Sequence, residues 1–172
     1  MGLAFGARGK GGKGAFAAHY EADTTGKVTA DRVVINLTRA RGAGSLAHEW
    51  FHAVDNYFGR KGGRAGAFQT EAQRGEGVRP EMLEAFKRIM QAINSTSLKM
   101  RGRKLDQTRS KADWSTGLEM AARSFESYIV TKLQDQNAAN DYLANIVSED
   151  YWNAAAALGI EKEDTYPYPT AA

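Results

Sequence analysis

Residues 44–59 read GSLAHEWFHAVDNYFG, and the fold turns on how this stretch is read. Leu46, Trp50, Phe51, Val54 and Phe58 recur at helical spacing, with Ser45 ahead of them as N-cap and Gly59 behind as a C′ stop. The pattern predicts an amphipathic helix. Within it lies H-E-x-x-H: His48, Glu49, Trp50, Phe51, His52. Residues four apart on a helix stand one above the other, so both imidazoles can reach a single Zn2+ at about 2.0 to 2.1 Å. Glu49, beside the first ligand, can take a proton from a water that the metal acidifies. The apolar side through Trp50, Phe51 and Val54 is expected to face away from the two histidines.

Upstream, residues 33–37 (VVINL) form a β-branched run that predicts a strand, and 15–22 (AFAAHYEA) predicts a second one. Residues 1–14 read as a flexible entry strand or loop and 39–44 as a loop. Downstream, residues 60–79 carry five glycines and read as a long surface loop. Pro80 opens a helix whose Met82, Leu83, Phe86, Ile89, Met90 and Ile93 make a wide apolar stripe. The basic residues of 98–111 suggest a solvated connector. Ser115 or Thr116 can cap a helix running to about Leu133. Short helices are expected near 140–147 and 151–158, before an extended tail containing YPYP. No repeat or linker divides the chain, so 1–172 reads as one domain.

Composition limits the chemistry. The 172 residues are 42% hydrophobic and 25% charged, an ordinary globular balance. Cysteine is absent, which removes disulfides, thiolate nucleophiles and cysteine-held zinc, so any metal must rest on nitrogen and oxygen. No apolar run approaches the roughly 20 residues of a membrane span, and the lead-in lacks the apolar core of a secretion signal. A net charge of +3 allows at most local attraction to nucleic acid.

A catalytic zinc site needs a third protein ligand. His19, the one histidine outside the motif, is one candidate, though a histidine in a strand is more often hydrogen-bonded or at the surface. Asp55, three residues after His52, lies on the ligand face and suits an acceptor for an imidazole N–H better than a metal ligand. Glu119 and Glu126, seven apart with Arg123 between them, would alone suggest a salt-bridged surface stripe. Beside a two-histidine site the balance changes: Glu119 is the favoured ligand, Glu126 the alternative, and Arg123 a residue that orients carboxylates. The small Ala121 and Ala122 would let this helix come close to the first.

HEWFHAVDNYFG, the downstream EMAARSFESY, LAFGARGKG near the start, VINLTRARGAGSLAHEW and the late YPYP together resemble the zincin-like metallopeptidase domain of large polyvalent proteins of phages and conjugative elements. The resemblance spans most of the chain. It departs at Phe51, where glycine is expected and where the bulkier ring would narrow the cleft. The resemblance implies a zincin-like α+β fold, mainly helical, with a small N-terminal β-sheet packed on the HExxH helix. It also implies Zn2+ held by His48, His52 and Glu119, with Glu49 as general base. By the same analogy Val33, Val34, Ile35, Asn36 and Leu37 form the edge strand that receives an extended peptide. Tyr57, Tyr128, Tyr166, Tyr168, His19 or Arg123 would supply a second electrophile for the oxyanion.

The leading expectation is a zinc-dependent peptidase acting on a protein or peptide, as part of a larger polyvalent protein in the cytoplasm of a bacterial or phage-infected cell. The alternative is a catalytically inactive binding module of the same fold that contacts a protein partner or nucleic acid. Nucleic acid is disfavoured, because the basic 98–111 segment has no aromatic residue on which bases could stack. Hydrolysis of a bond other than an amide is a third, weaker reading.

Overall fold

The computed structural model describes residues 2–5, 18–22, 28–37, 42–62, 67–72, 77–108, 110, 113–160 and 165–170. The lead-in beyond residue 5, parts of the 60–79 segment and the start of the tail lie outside the described residues. Strands β1 (Gly2–Phe5), β2 (Ala18–Ala22) and β3 (Val28–Leu37) precede six α-helices: α1 (Leu46–Gly59), α2 (Gln69–Ala72), α3 (Pro80–Asn94), α4 (Leu98–Asp106), α5 (Gly117–Asp135) and α6 (Glu149–Ala157).

The α+β class expected from the sequence is corrected to a helical one, and the expectation of a mainly helical chain agrees with the six helices described. Helices hold most of the described residues, and the larger core cluster is wholly helical in origin. It joins Phe51 of α1, Phe86, Met90 and Ile93 of α3, Leu98 of α4, and Met120, Ala121 and Ala122 of α5. The Phe51 ring lies 5.5 Å from Phe125 and 6.4 Å from Phe86, centroid to centroid. It therefore fills the core, and the expectation that it narrows the cleft is withdrawn. Trp50, expected on the same apolar face, is 46% exposed.

The strands are minor by comparison. Their order is β1-β3-β2, with β1 parallel and β2 antiparallel to β3. Among the residues whose burial is described, Ile35 and Leu37 of β3 enter a core cluster with Ala53 and Leu46 of α1. Val34 pairs with both Gly2 and His19, and Ile35 with both Leu3 and Ala18. Val33, Val34, Ile35, Asn36 and Leu37 thus lie in the central strand, and the expectation of a free substrate edge there is corrected.

The ends of α1 follow rules other than those expected. Ser45 does not cap through its side chain, which donates instead to the Gly42 carbonyl at 3.1 Å. The helix start is stitched to residues 142–145: Gly44 N–H donates to Tyr142 O, and Ala47 N–H donates to Leu143 O at 2.8 Å. This satisfies amides that a helix start leaves unpaired. Gly44 has φ +84°, and a Cβ there would sit 2.5 Å from the Cβ of Asn145, so glycine is required twice over. Gly59 is the last residue of α1 and not its C′ stop. A Cβ on it would come within 2.5 Å of the Ala67 carbonyl oxygen.

Three further expectations change. The 60–79 segment contains a 3-10 turn, Arg60–Gly62, and helix α2. The basic connector is helix α4, held by Leu98, Gly102 and Leu105, buried at i, i+4 and i+7 while the cationic side chains share the remaining surface. The helix expected near 140–147 is replaced by turns, because the Asn140 side chain accepts from Tyr142 N and Leu143 N in competition with helical bonding. Thr116 caps α5 by accepting from Glu119 N at 3.3 Å.

Candidate metal centre

Helix α1 carries His48 and His52 one turn apart, and α5 packs across it because Ala121 and Ala122 hold its side chains short. The pairing brings Glu119 to the two rings. His48 Nε2 lies 3.0 Å from His52 Nε2 and 3.3 Å from Glu119 Oε2, and His52 Nε2 lies 3.5 Å from Glu119 Oε1. Two imidazole nitrogens and one carboxylate oxygen, all within 4.8 Å of one another, converge as tetrahedral cation ligands do. Glu126 Oε2 lies on the other side of the His48 ring, 3.5 Å from Nδ1. Glu49 is 4% exposed and near enough for its charge to act on His48.

The electrostatics follow from this crowding. Burial works to lower the His48 pKa, but hydrogen bonds to Glu119 and Glu126, with the charges of Glu119 and Glu49, outweigh it and raise the ring to about 9. Burial raises the Glu119 carboxyl, and the two histidines overcome that to hold it well below its ordinary range. The surrounding carboxylates thus favour positive charge at His48.

The other expected site residues are placed as follows. Asp55 is fully buried, and burial raises its pKa; its oxygens accept from Thr70 N at 2.8 Å and Thr70 Oγ1 at 2.5 Å. The charge of His52 is felt at Asp55, yet the carboxylate holds α2, and His52 Nδ1 finds no hydrogen-bond partner among the described residues. Arg123 does not orient a carboxylate. It donates to the backbone carbonyls of Glu119, at 3.1 Å, Pro167, at 2.6 Å, and Trp114, and its guanidinium stacks 4.6 Å above the Trp114 ring.

None of the electrophile candidates with a described side chain is brought to the cluster. Tyr57 is 44% exposed beneath Lys61, whose Nζ lies 4.6 Å from the ring centroid. Tyr128 is 54% exposed and lines a groove with Ile93, Leu98, Ser124 and Pro169, on the side of α5 away from Glu119. Tyr166 donates its hydroxyl to Val147 O at 2.8 Å. Burial, then the charge of Glu126, raises the Tyr168 phenol. His19 sits in β2 opposite Val34, and its side chain lies outside what is described.

Thr70 was invisible beforehand, because it lies in a four-residue helix inside a glycine-rich stretch with no periodicity to mark it. Trp114, whose carbonyl and ring both engage Arg123, likewise left no pattern.

The arrangement defines a helical protein with an HExxH pair and a carboxylate brought from a second helix. Residues 105–172 match the family model of large polyvalent protein-associated domain 1. That part of the chain contains Glu119 and Glu126 but not His48 or His52. No curated protein and no solved structure matches the chain. No helix among the described residues is long and apolar enough to cross a membrane.

Proposed function

We propose that the protein is a zinc-dependent metallopeptidase in which His48, His52 and Glu119 hold the metal and Glu49 is the general base. The observation that carries this reading is the convergence of those three ligand atoms, from two helices, within 4.8 Å. The donor set of two nitrogens and one oxygen suits zinc and leaves a fourth position for water or substrate. Zinc, when bound, supplies Lewis acidity that polarises a substrate carbonyl and acidifies water.

The chain's own residues do the rest. Glu49, buried and adjacent in sequence to His48, accepts the proton of the attacking water and delivers it to the departing amine. Glu119 compensates the charge of the bound cation. Arg123 fixes the Glu119 backbone carbonyl, and so the first turn of α5, against Trp114 and Pro167. The substrate class proposed is protein or peptide, and the place of action is the cytoplasm of a bacterial or phage-infected cell, within a larger polyvalent protein.

The test is a titration of chelated protein with zinc, followed by exposure of the loaded protein to a peptide library read by mass spectrometry. One zinc per chain with new peptide termini supports the reading. Zinc uptake with no cleavage assigns the centre to a binding module, and no uptake removes the metallopeptidase reading.

A further inference from the structure

The two imidazoles are not equivalent. Both turn Nε2 toward Glu119, so each has only Nδ1 left for the protein. His48 Nδ1 faces Glu126 Oε2 at 3.5 Å, whereas His52 Nδ1 is buried with no hydrogen-bond partner among the described residues. Glu126 is 4% exposed and stands two turns beyond Glu119 on α5, so the same helix that brings the carboxylate to Nε2 brings another to Nδ1. A ring that gives Nε2 to a cation carries its proton on Nδ1. A carboxylate accepting that proton sets the tautomer, fixes the ring plane and makes Nε2 a better donor.

We propose that Glu126 is the positioning residue of this centre, acting through His48, so that His48 is the anchoring ligand and His52 the weakly held, exchangeable one. The proposal rests on the metal reading above. Glu126 is not itself a ligand, because its near oxygen sits across the His48 ring from the converging Nε2 atoms.

The experiment uses the full chain, stripped by chelation, with zinc affinity measured by competition against a chromophoric chelator for wild type, E126Q and E126D. Wild type and both variants are expected to take up one zinc per chain, with affinity roughly 10- to 100-fold weaker in E126Q and a smaller loss in E126D. In zinc-loaded protein labelled with 15N-histidine, His48 is expected to show a downfield Nδ1 proton that E126Q moves upfield, while His52 shows none. A merely structural role for Glu126 would not move that proton. Unchanged affinity together with an unmoved His48 proton overturns the proposal, as does loss of stoichiometry in E126Q, which would make Glu126 a ligand. If E126Q fails to fold, E126D decides, and wild-type affinity in E126D overturns the proposal. Absence of zinc from wild type overturns the metal reading and this one together, whereas the other negative results leave the metal reading standing.

Discussion

Arg123 donates to the carbonyl of Pro167 at 2.6 Å and so ties the middle of the ligand-bearing helix to the late YPYP segment. The side chain is 3% exposed, and its partners are the three carbonyls of Glu119, Trp114 and Pro167. Arg101 secures the same segment by donating to Tyr168 O at 2.6 Å and Thr170 Oγ1 at 3.3 Å. Neighbouring basic residues thus act as clamps on backbone.

Replacing Arg123 by alanine leaves buried carbonyls without their donor. The expected loss of stability is about 2–4 kcal/mol, from hydrogen bonds to a charged group. Lysine keeps the charge but lacks the forked geometry, so R123K is expected to recover only part of the loss. Urea unfolding of the metal-free variants checks both, and wild-type stability in R123K contradicts the clamp.

Asp55 and Thr70 should behave as one unit. D55N and T70V each disturb the attachment of α2 to α1, and the double variant should be less destabilised than the sum of the two. The expected coupling is about 1–3 kcal/mol, measured by a double-mutant cycle. Additive losses would show that the 2.5 Å contact contributes nothing specific.

Phe51→Ala separates core from centre. Phe51 is 7% exposed among Phe86, Met90 and Ala122, so its truncation is expected to cost about 3–5 kcal/mol. Because Phe51 packs in the core and supplies no ligand atom, zinc stoichiometry should not change. A variant of normal stability that loses zinc would contradict this placement.

The helical half of the site was legible in the sequence because its signals are local. Four-residue spacing places His48 over His52, and seven-residue spacing puts Glu119 and Glu126 on one face of α5 whatever else surrounds them. What could not be read depends on long-range pairing. The run at 33–37 looks the same in an edge strand and a central one; only its pairing with Gly2–Phe5 and Ala18–Ala22 decides. Helix α4 was masked because Leu98 and Leu105 are outnumbered by Lys99, Arg101, Arg103 and Lys104. The orientation of Arg123 is not legible in the sequence, because the backbone carbonyls that hold it have no sequence signature.

Protonation gives a pH test. Despite the opposing effect of burial, Glu119 and Glu126 raise His48 from 6.5 to about 9 in the metal-free protein. Because the folded value is the higher one, the charged ring contributes its full stabilisation below about pH 6.5, and this is lost as pH rises through about 9. A histidine that binds metal must give up the shared proton. Zinc uptake at neutral pH is therefore expected to release about one proton, falling toward zero above about pH 10. Calorimetric titrations in buffers of different ionisation enthalpy count it, and no release at neutral pH contradicts the arrangement.

The most direct measurement compares zinc-loaded wild type with zinc-loaded Glu49→Gln on the same cleaved peptide, each confirmed to hold one metal per chain. The expected result is equal zinc content with a rate about 10²- to 10⁴-fold lower in the variant, the scale of a lost general base. Equal rates, or no cleavage by fully loaded wild type, would contradict the assignment of the His48, Glu49, His52 and Glu119 centre to peptide hydrolysis.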